Sequence, residues 1–233
     1  MLADAVKNGG CLLCFDGGKL ASAALHKDVS VKFGGENRRG VYVFGLCTAP
    51  EYRGAGLASG LVDEICAESG ADYALLIPEN DGLFEFYEKL GFEPDGIAAA
   101  FRVSAAKTVP VYIADNARDA YAAYRNAAEK CGDICMLSES DLAASAAISP
   151  QTCVIGKSGI CFVGGDVEVF APDGRAEELA ASALELCGVS EARAICPLSS
   201  APDGAETVRI GMIRSLRGET PPESFYINNL FNL

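Results

Sequence analysis

From Cys11 to Thr48 short apolar runs alternate with glycine-rich breaks, the pattern of strands joined by tight turns. Cys11 to Phe15 and Lys19 to Leu25 flank Asp16-Gly17-Gly18, which predicts a hairpin. Val29 to Phe33 alternates, Gly34 to Gly40 reads as a second turn, and Val41 to Thr48 is the most apolar run of the region. An antiparallel meander is the simplest arrangement. Pro50 cannot donate to a sheet ladder, so the last strand is expected to splay from its neighbour, leaving free N–H and C=O groups at Leu46 to Thr48.

The period then changes. Leu57, Ala58, Leu61, Val62, Ile65 and Cys66 recur at helical spacing, with Gly70 as the stop. Asp72 to Pro78 reads as a short buried strand, so strand, helix and strand predict a right-handed parallel crossover. Leu83, Phe84, Phe86, Tyr87 and Leu90 line a short helix that Gly91 ends at its C′ position, and Gly96 to Val103 is the next strand. The pattern loosens around Lys107 to Pro110, which predicts two domains, 1–108 and 109–233. Beyond it, helices are expected over Asp115 to Lys130, with Tyr121 and Tyr124 on one face, and over Ser138 to Ala147, capped by Ser138 or Ser140. Strands follow at Thr152 to Ile155, Ile160 to Val163, Thr207 to Leu216 and Ser224 to Ile227.

Three short stretches of the second half echo the first in order and approximate spacing. Val167 to Phe170 resembles Val41 to Phe44, Leu179 to Leu184 resembles Leu57 to Val62, and Ala192 to Pro197 resembles Tyr73 to Pro78. A repeated strand–helix–strand unit is the expectation. The connectors differ. Ala171-Pro172-Asp173-Gly174-Arg175-Ala176-Glu177-Glu178 carries carboxylates where the first connector carries glycines, which argues against an anion site in the second copy.

Composition narrows the classes. Nineteen basic against thirty-two acidic residues give a net charge of −13, which disfavours nucleic acid and anionic membranes and favours cationic partners. No apolar run approaches a membrane span and the first residues lack a signal peptide's core, so a cytoplasmic protein is expected. The ten cysteines read as reduced thiols, mostly buried; Cys11 and Cys14 point to opposite faces of a strand, and no metal site is expected.

The candidate chemistry sits at Pro50-Glu51-Tyr52-Arg53-Gly54-Ala55-Gly56-Leu57-Ala58. Glycines where a strand gives way to a helix leave backbone N–H groups unshielded at the positive end of the helix dipole, a place for a phosphate. The missing Lys and Thr argue against a Walker loop. A dinucleotide fingerprint fits less well, because Gly54 to Gly60 is one residue too long for GxGxxG; a dinucleotide-binding oxidoreductase remains as the weaker enzyme alternative.

Leu46 to Ala58 resembles the acyl-CoA loop of the GNAT superfamily of N-acyltransferases, and Phe86-Tyr87-Glu88-Lys89-Leu90-Gly91-Phe92 is similar to the family's second signature. The likeness is dense over residues 41–93, thin over 11–40 and topological beyond 110. It implies a mixed α/β fold with a mostly antiparallel sheet flanked by helices, followed by a smaller α/β unit resembling a degenerate GNAT half. It implies acetyl-CoA as co-substrate without a metal. Its site would be Leu46, Cys47 and Thr48 along the pantetheine arm, Arg53, Gly54, Ala55, Gly56, Leu57 and Ala58 on the pyrophosphate, and Asn80. The N–H of Cys47 or Thr48 is the implied oxyanion donor and Tyr87 the implied general acid.

The same residues carry plainer readings. Tyr87 suits a core, Asn80 suits a helix cap as well as a cofactor contact, and the Cys47 side chain reads as packing rather than nucleophile. For the base, Glu51, Glu79, Asp81, Glu88, His26 and a water chain all stay open. Family members usually open with a strand and two helices, of which Met1 to Asn8 would supply only a tail; residues 110–233 are expected to complete the acceptor cleft instead. The expected acceptor is a small amine or a protein amine. A non-catalytic acyl-CoA binding module is the alternative.

Overall fold

The computed structural model describes residues 9–148 and 151–228. The segment Met1–Asn8, expected to be a helix tail, lies outside the described residues. The chain runs β1 (Gly9–Asp16), β2 (Lys19–Phe33), β3 (Glu36–Thr48), α1 (Leu57–Glu68), β4 (Tyr73–Leu76), α2 (Asp81–Glu88) and β5 (Glu93–Ser104). It continues through β6 (Val111–Ile113), α3 (Ala117–Ala128), β7 (Ile134–Met136), α4 (Glu139–Ile148), β8 (Thr152–Gly156), β9 (Ile160–Val163) and β10 (Val167–Phe170). α5 (Ala176–Cys187), β11 (Glu191–Cys196), β12 (Glu206–Ser215) and β13 (Tyr226–Ile227) follow. The fold is mixed α/β with mostly antiparallel strand pairing, as expected.

Two compact units form, each drawn from separate stretches. Unit 1 holds the described residues through Val31, then Asn37–Asp95 and Gly211–Glu223; unit 2 holds Lys32–Glu36, Gly96–Ile210 and the described residues from Ser224. The border falls inside β5 and inside β12, so the expected division at 108/109 lies within unit 2. The loosened stretch there is pinned rather than free: the N–H groups of Thr108 and Val109 both donate to Ser182 Oγ of α5, each at 3.0 Å. A hydroxyl on a buried helix face does what no local pattern signals.

In unit 1, β1 pairs antiparallel with β2, β2 neighbours β3, and β3 runs parallel to β4. Met212–Ser215 of β12 pairs next, antiparallel to Leu76–Tyr73 of β4. Gly211 to Ser215, expected in the second half, therefore belongs to unit 1. Two further differences concern the hairpins. β2 runs unbroken through His26-Lys27-Asp28, which hold no Gly or Pro, and the second turn is only Gly34-Gly35, both at positive φ, so Asn37 to Arg39 are strand. Leu12, Val41, Val43, Val62, Ile65, Leu76, Tyr87, Phe92 and Met212 pack into one core. Each fully buried aliphatic there contributes roughly 1.5–3 kcal/mol.

In unit 2, the order is β5-β11-β10-β9-β8-β6, antiparallel except for β10 with β11, while β13 pairs parallel with β7. Tyr124, fully buried, accepts a hydrogen bond from the Leu137 N–H at 3.0 Å and stacks edge-on to Phe170. Ser138 caps α4 through its Oγ, which accepts from Asp141 N at 3.1 Å. The three-residue strands β6 and β7 were not legible, being too short for a period. Each unit thus contains one parallel strand–helix–strand crossover, β3-α1-β4 and β10-α5-β11, with helices of 12 residues.

Candidate active site

Gly45 sets the geometry at the end of β3. Val41 and Val43 face the core of unit 1, and the next residue packed against it is Leu46. Unbroken alternation would have placed position 45 there. Gly45 has φ +58° and acts as the extra residue of a β-bulge; a Cβ would stand 3.0 Å from Leu25 Cδ1 in a left-handed backbone. The bulge flips the parity of everything after it. Cys47, expected to pack, is instead exposed.

The splay opens earlier than Pro50. β3 is registered with β4 only over Gly40–Tyr42, opposite Tyr73–Leu75, while on its other side it stays tied to β2. Ala49 N donates to Ala21 O at 2.9 Å and Ser22 Oγ donates to Cys47 O at 2.8 Å. Because that proton is committed, the Thr48 hydroxyl is the donor in its 2.9 Å contact with Ser22 Oγ. Successive amides along a strand face opposite sides, so with Ala49 N–H turned to β2 the Thr48 N–H faces the open side.

The connector follows directly. Pro50–Tyr52 forms one 3-10 turn, and Gly54 and Gly56 take φ +79° and +78°. A Cβ at either would meet nothing within 4 Å, so the glycines serve conformation and leave the backbone uncovered. Gly56 caps α1 without a side chain, and no acidic residue stands in the first turn. The N–H groups of Leu57, Ala58 and Ser59 have no carbonyl four residues back within the helix. Arg53, Gly54, Ala55 and Gly56 are exposed. The Arg53 guanidinium braces the loop, donating through Nε to Thr48 O at 3.3 Å, and Tyr52 donates to Asp16 Oδ2 at 3.2 Å. Partial desolvation, and then that carboxylate, raises the Tyr52 phenol.

The corresponding junction before α5 is closed to anions. Ser158 donates to Asp173, Arg175 pairs with Glu178, and Glu177 and Glu178 occupy the first turn. The Ser158 bond holds the Asp173 carboxyl below its usual range.

Tyr87 is set by the end of α2. Gly91, at φ +79°, donates to Glu88 O at 2.9 Å and Phe92 N donates to Tyr87 O at 3.1 Å, the paired bonds of a Schellman cap. The Phe92 ring then lies edge-on to Tyr87 with centroids 5.9 Å apart, Phe86 at 5.0 Å. Tyr87 is 8% exposed and shares a core with Val43 and Leu46 of β3 and Leu76 of β4, the strands between which the splay opens. Burial pushes its phenol above the ordinary value.

Asn80 is exposed and stands at the N-cap of α2, yet its side chain makes no capping bond. Glu51, Glu79, Asp81 and Glu88 are exposed. His26 packs over Gly10 of β1, where a Cβ would meet its Nε2 at 2.3 Å, and burial lowers its pKa. Among the described residues no cluster of three or more His, Cys, Asp or Glu stands ready for a metal. Sequence reasoning missed Gly45 and Ser22. A lone glycine inside an apolar run was the available signal for the first; nothing signalled the second.

Residues 2–94 match the family model described as an acetyltransferase (GNAT) domain. Among solved structures, the chain is similar to a GCN5-related N-acetyltransferase from Kribbella flavida, at 22% identity and TM-score 0.68 over 92% of this chain and 62% of that one. It is similar also to a GCN5-related N-acetyltransferase from Anabaena variabilis, at 14% identity and TM-score 0.70 over 92% and 66%. Eis1 from Mycobacterium abscessus gives 16% identity and TM-score 0.69 over 90% and 64%. At these identities the likeness is one of fold, and the chain spans less than two thirds of each of these structures. No curated protein matches the chain. The matched stretch covers β1 to α2 but not β12, which pairs with β4.

Proposed function

We propose that the chain is an acyl-CoA-dependent N-acyltransferase, most simply one moving acetyl from acetyl-CoA to a primary amine of a small cationic molecule or a protein. One observation carries this reading: β3 parts from β4 after Tyr42 and ends, with Thr48 N–H on the open side, in an uncovered glycine turn at a helix N-terminus. That arrangement suits a ligand with an amide-bearing arm and a pyrophosphate. The amides from Gly54 to Ala58 would hold the pyrophosphate, Leu46 to Thr48 would pair with the arm, and Arg53 would keep the loop in shape. Asn80, with no capping bond, is available to the cofactor. Acetyl-CoA supplies the activated acyl group.

Thr48 N–H is the donor for the charge that develops on the carbonyl oxygen when an amine attacks. Tyr87 supplies a proton to the departing thiolate; its raised pKa keeps the phenol protonated at neutral pH. A net charge of −13 favours a cationic acceptor. In this reading the second crossover, with its acidic junction, is a degenerate GNAT half and carries no CoA site.

Tyr87→Phe tests the reading in an amine panel that measures free thiol. The expected result is a fall in kcat of about 10²-fold or more with CoA affinity unchanged. An unaltered kcat would return Tyr87 to a purely core role. CoA binding without turnover on any amine would make the chain a binding module, a reading that the deep packing of Tyr87 favours.

A further inference from the structure

Unit 2 contains a cavity of about 330 Å³ between α3, α4 and the start of β8, away from its crossover junction. Ala120, Leu142 and Phe162, all buried, form its inner wall, and the exposed Ala117 and Ala146 stand at its mouth. Among the described residues no Asp, Glu, Lys, Arg or His lines it. Of the polar side chains Asn116 is spoken for: its Oδ1 accepts from Asp119 N at 3.0 Å while its Nδ2 donates to Asp119 Oδ2 at 2.7 Å. Gln151 and Thr152, half-buried, also line it. Ser145 is the one deeply buried polar side chain among the described residues of the lining. It is 5% exposed, lines the cavity, and makes no hydrogen bond among the described residues.

The Ser145 hydroxyl opens onto the cavity, so water or a ligand's polar group can meet it. An uncharged wall would reject an ion, since nothing there repays its desolvation. Apolar cavities of ~150 Å³ already take up benzene, so this volume has room for a ring or short chain with one polar substituent. We propose that the cavity is a binding site for a small, uncharged, largely apolar molecule whose single hydroxyl or carbonyl pairs with Ser145. The site is independent of acyl transfer and stands whether or not the first unit is catalytic.

The probe is 4-fluorobenzyl alcohol, followed by its fluorine NMR signal on the full chain. Saturable binding is expected. Ser145→Ala should weaken it about 5-fold, the equivalent of one neutral hydrogen bond. Ala146→Phe, at an exposed position where an unchanged thermal melt checks the fold, should close the mouth and abolish binding. Cys153 lines the same cavity, so the probe should slow its alkylation by N-ethylmaleimide while the exposed Cys11 and Cys47 react as before. Absence of saturable binding up to about 10 mM would overturn the proposal, that being weaker than any useful site. Equal affinity for 4-fluorobenzoate, binding that survives Ala146→Phe, or unprotected Cys153 would overturn it too.

Discussion

Met212 of β12 lies directly opposite Leu76 of β4, and both are buried in the core of unit 1 that holds Tyr87. Arg214 Nη1 is 2.8 Å from Asp63 Oδ1 of α1, and Arg217 Nη2 donates to Gly70 O at 3.0 Å. The strand β4 beside the candidate site is thus paired by a strand from far down the chain. A fragment of residues 1–108 leaves one edge of β4 unpaired and the core short of Met212. It is expected to lack a cooperative melt and to bind hydrophobic dye, whereas the full chain does neither. Met212→Ala in the full chain should cost about 2–5 kcal/mol in denaturant titration.

Ser22 holds the splayed end of β3 by its contacts with Cys47 and Thr48. Ser22→Ala removes a donor and should lower stability by about 1 kcal/mol. It should raise the KM for acetyl-CoA more than it lowers kcat, because it loosens the strand rather than touching the reacting atoms. Thr48→Val should add little to Ser22→Ala in a double-mutant cycle, since both break the same contact. Full additivity would separate them.

Gly54 and Gly56 have room for a side chain but not the backbone for one. Gly54→Ala and Gly56→Ala should each cost roughly 1–2 kcal/mol from left-handed strain and weaken CoA binding measured by calorimetry. Gly60, within α1 and with nothing near its Cβ position, behaves oppositely. Gly60→Ala should stabilise the chain by roughly 0.5–1 kcal/mol and leave CoA affinity alone.

Tyr124 and Tyr226 are both fully buried, and desolvation raises each well above 10. The neighbouring Cys196 is pushed up to about 12 from 9.0 by burial. These groups are raised in the folded chain, so their contribution is complete below pH 9 to 10 and is lost as pH rises through their folded values. Stability should therefore decline above pH 9, and the phenolate absorbance should rise together with loss of near-ultraviolet circular dichroism. Phenols that titrated near 10 without unfolding would contradict the burial.

What the sequence determined was local. The glycine turn, α1 with its buried face, and the Gly91 cap of α2 rest on backbone preferences and short spacings, which adjacent residues carry in themselves. So did the acidic character of the junction before α5. The tertiary structure decided the rest because it depends on partners distant in the chain. Gly45 acts as a bulge only against Leu25, and through it Cys47 turns outward. Thr108 is anchored only because α5 brings Ser182 and the Glu178 carbonyl to it. β4 needs Met212 to Ser215 beside it, and no periodicity within β12 says which sheet it will join: an alternating strand fits any edge whose far side needs an apolar face.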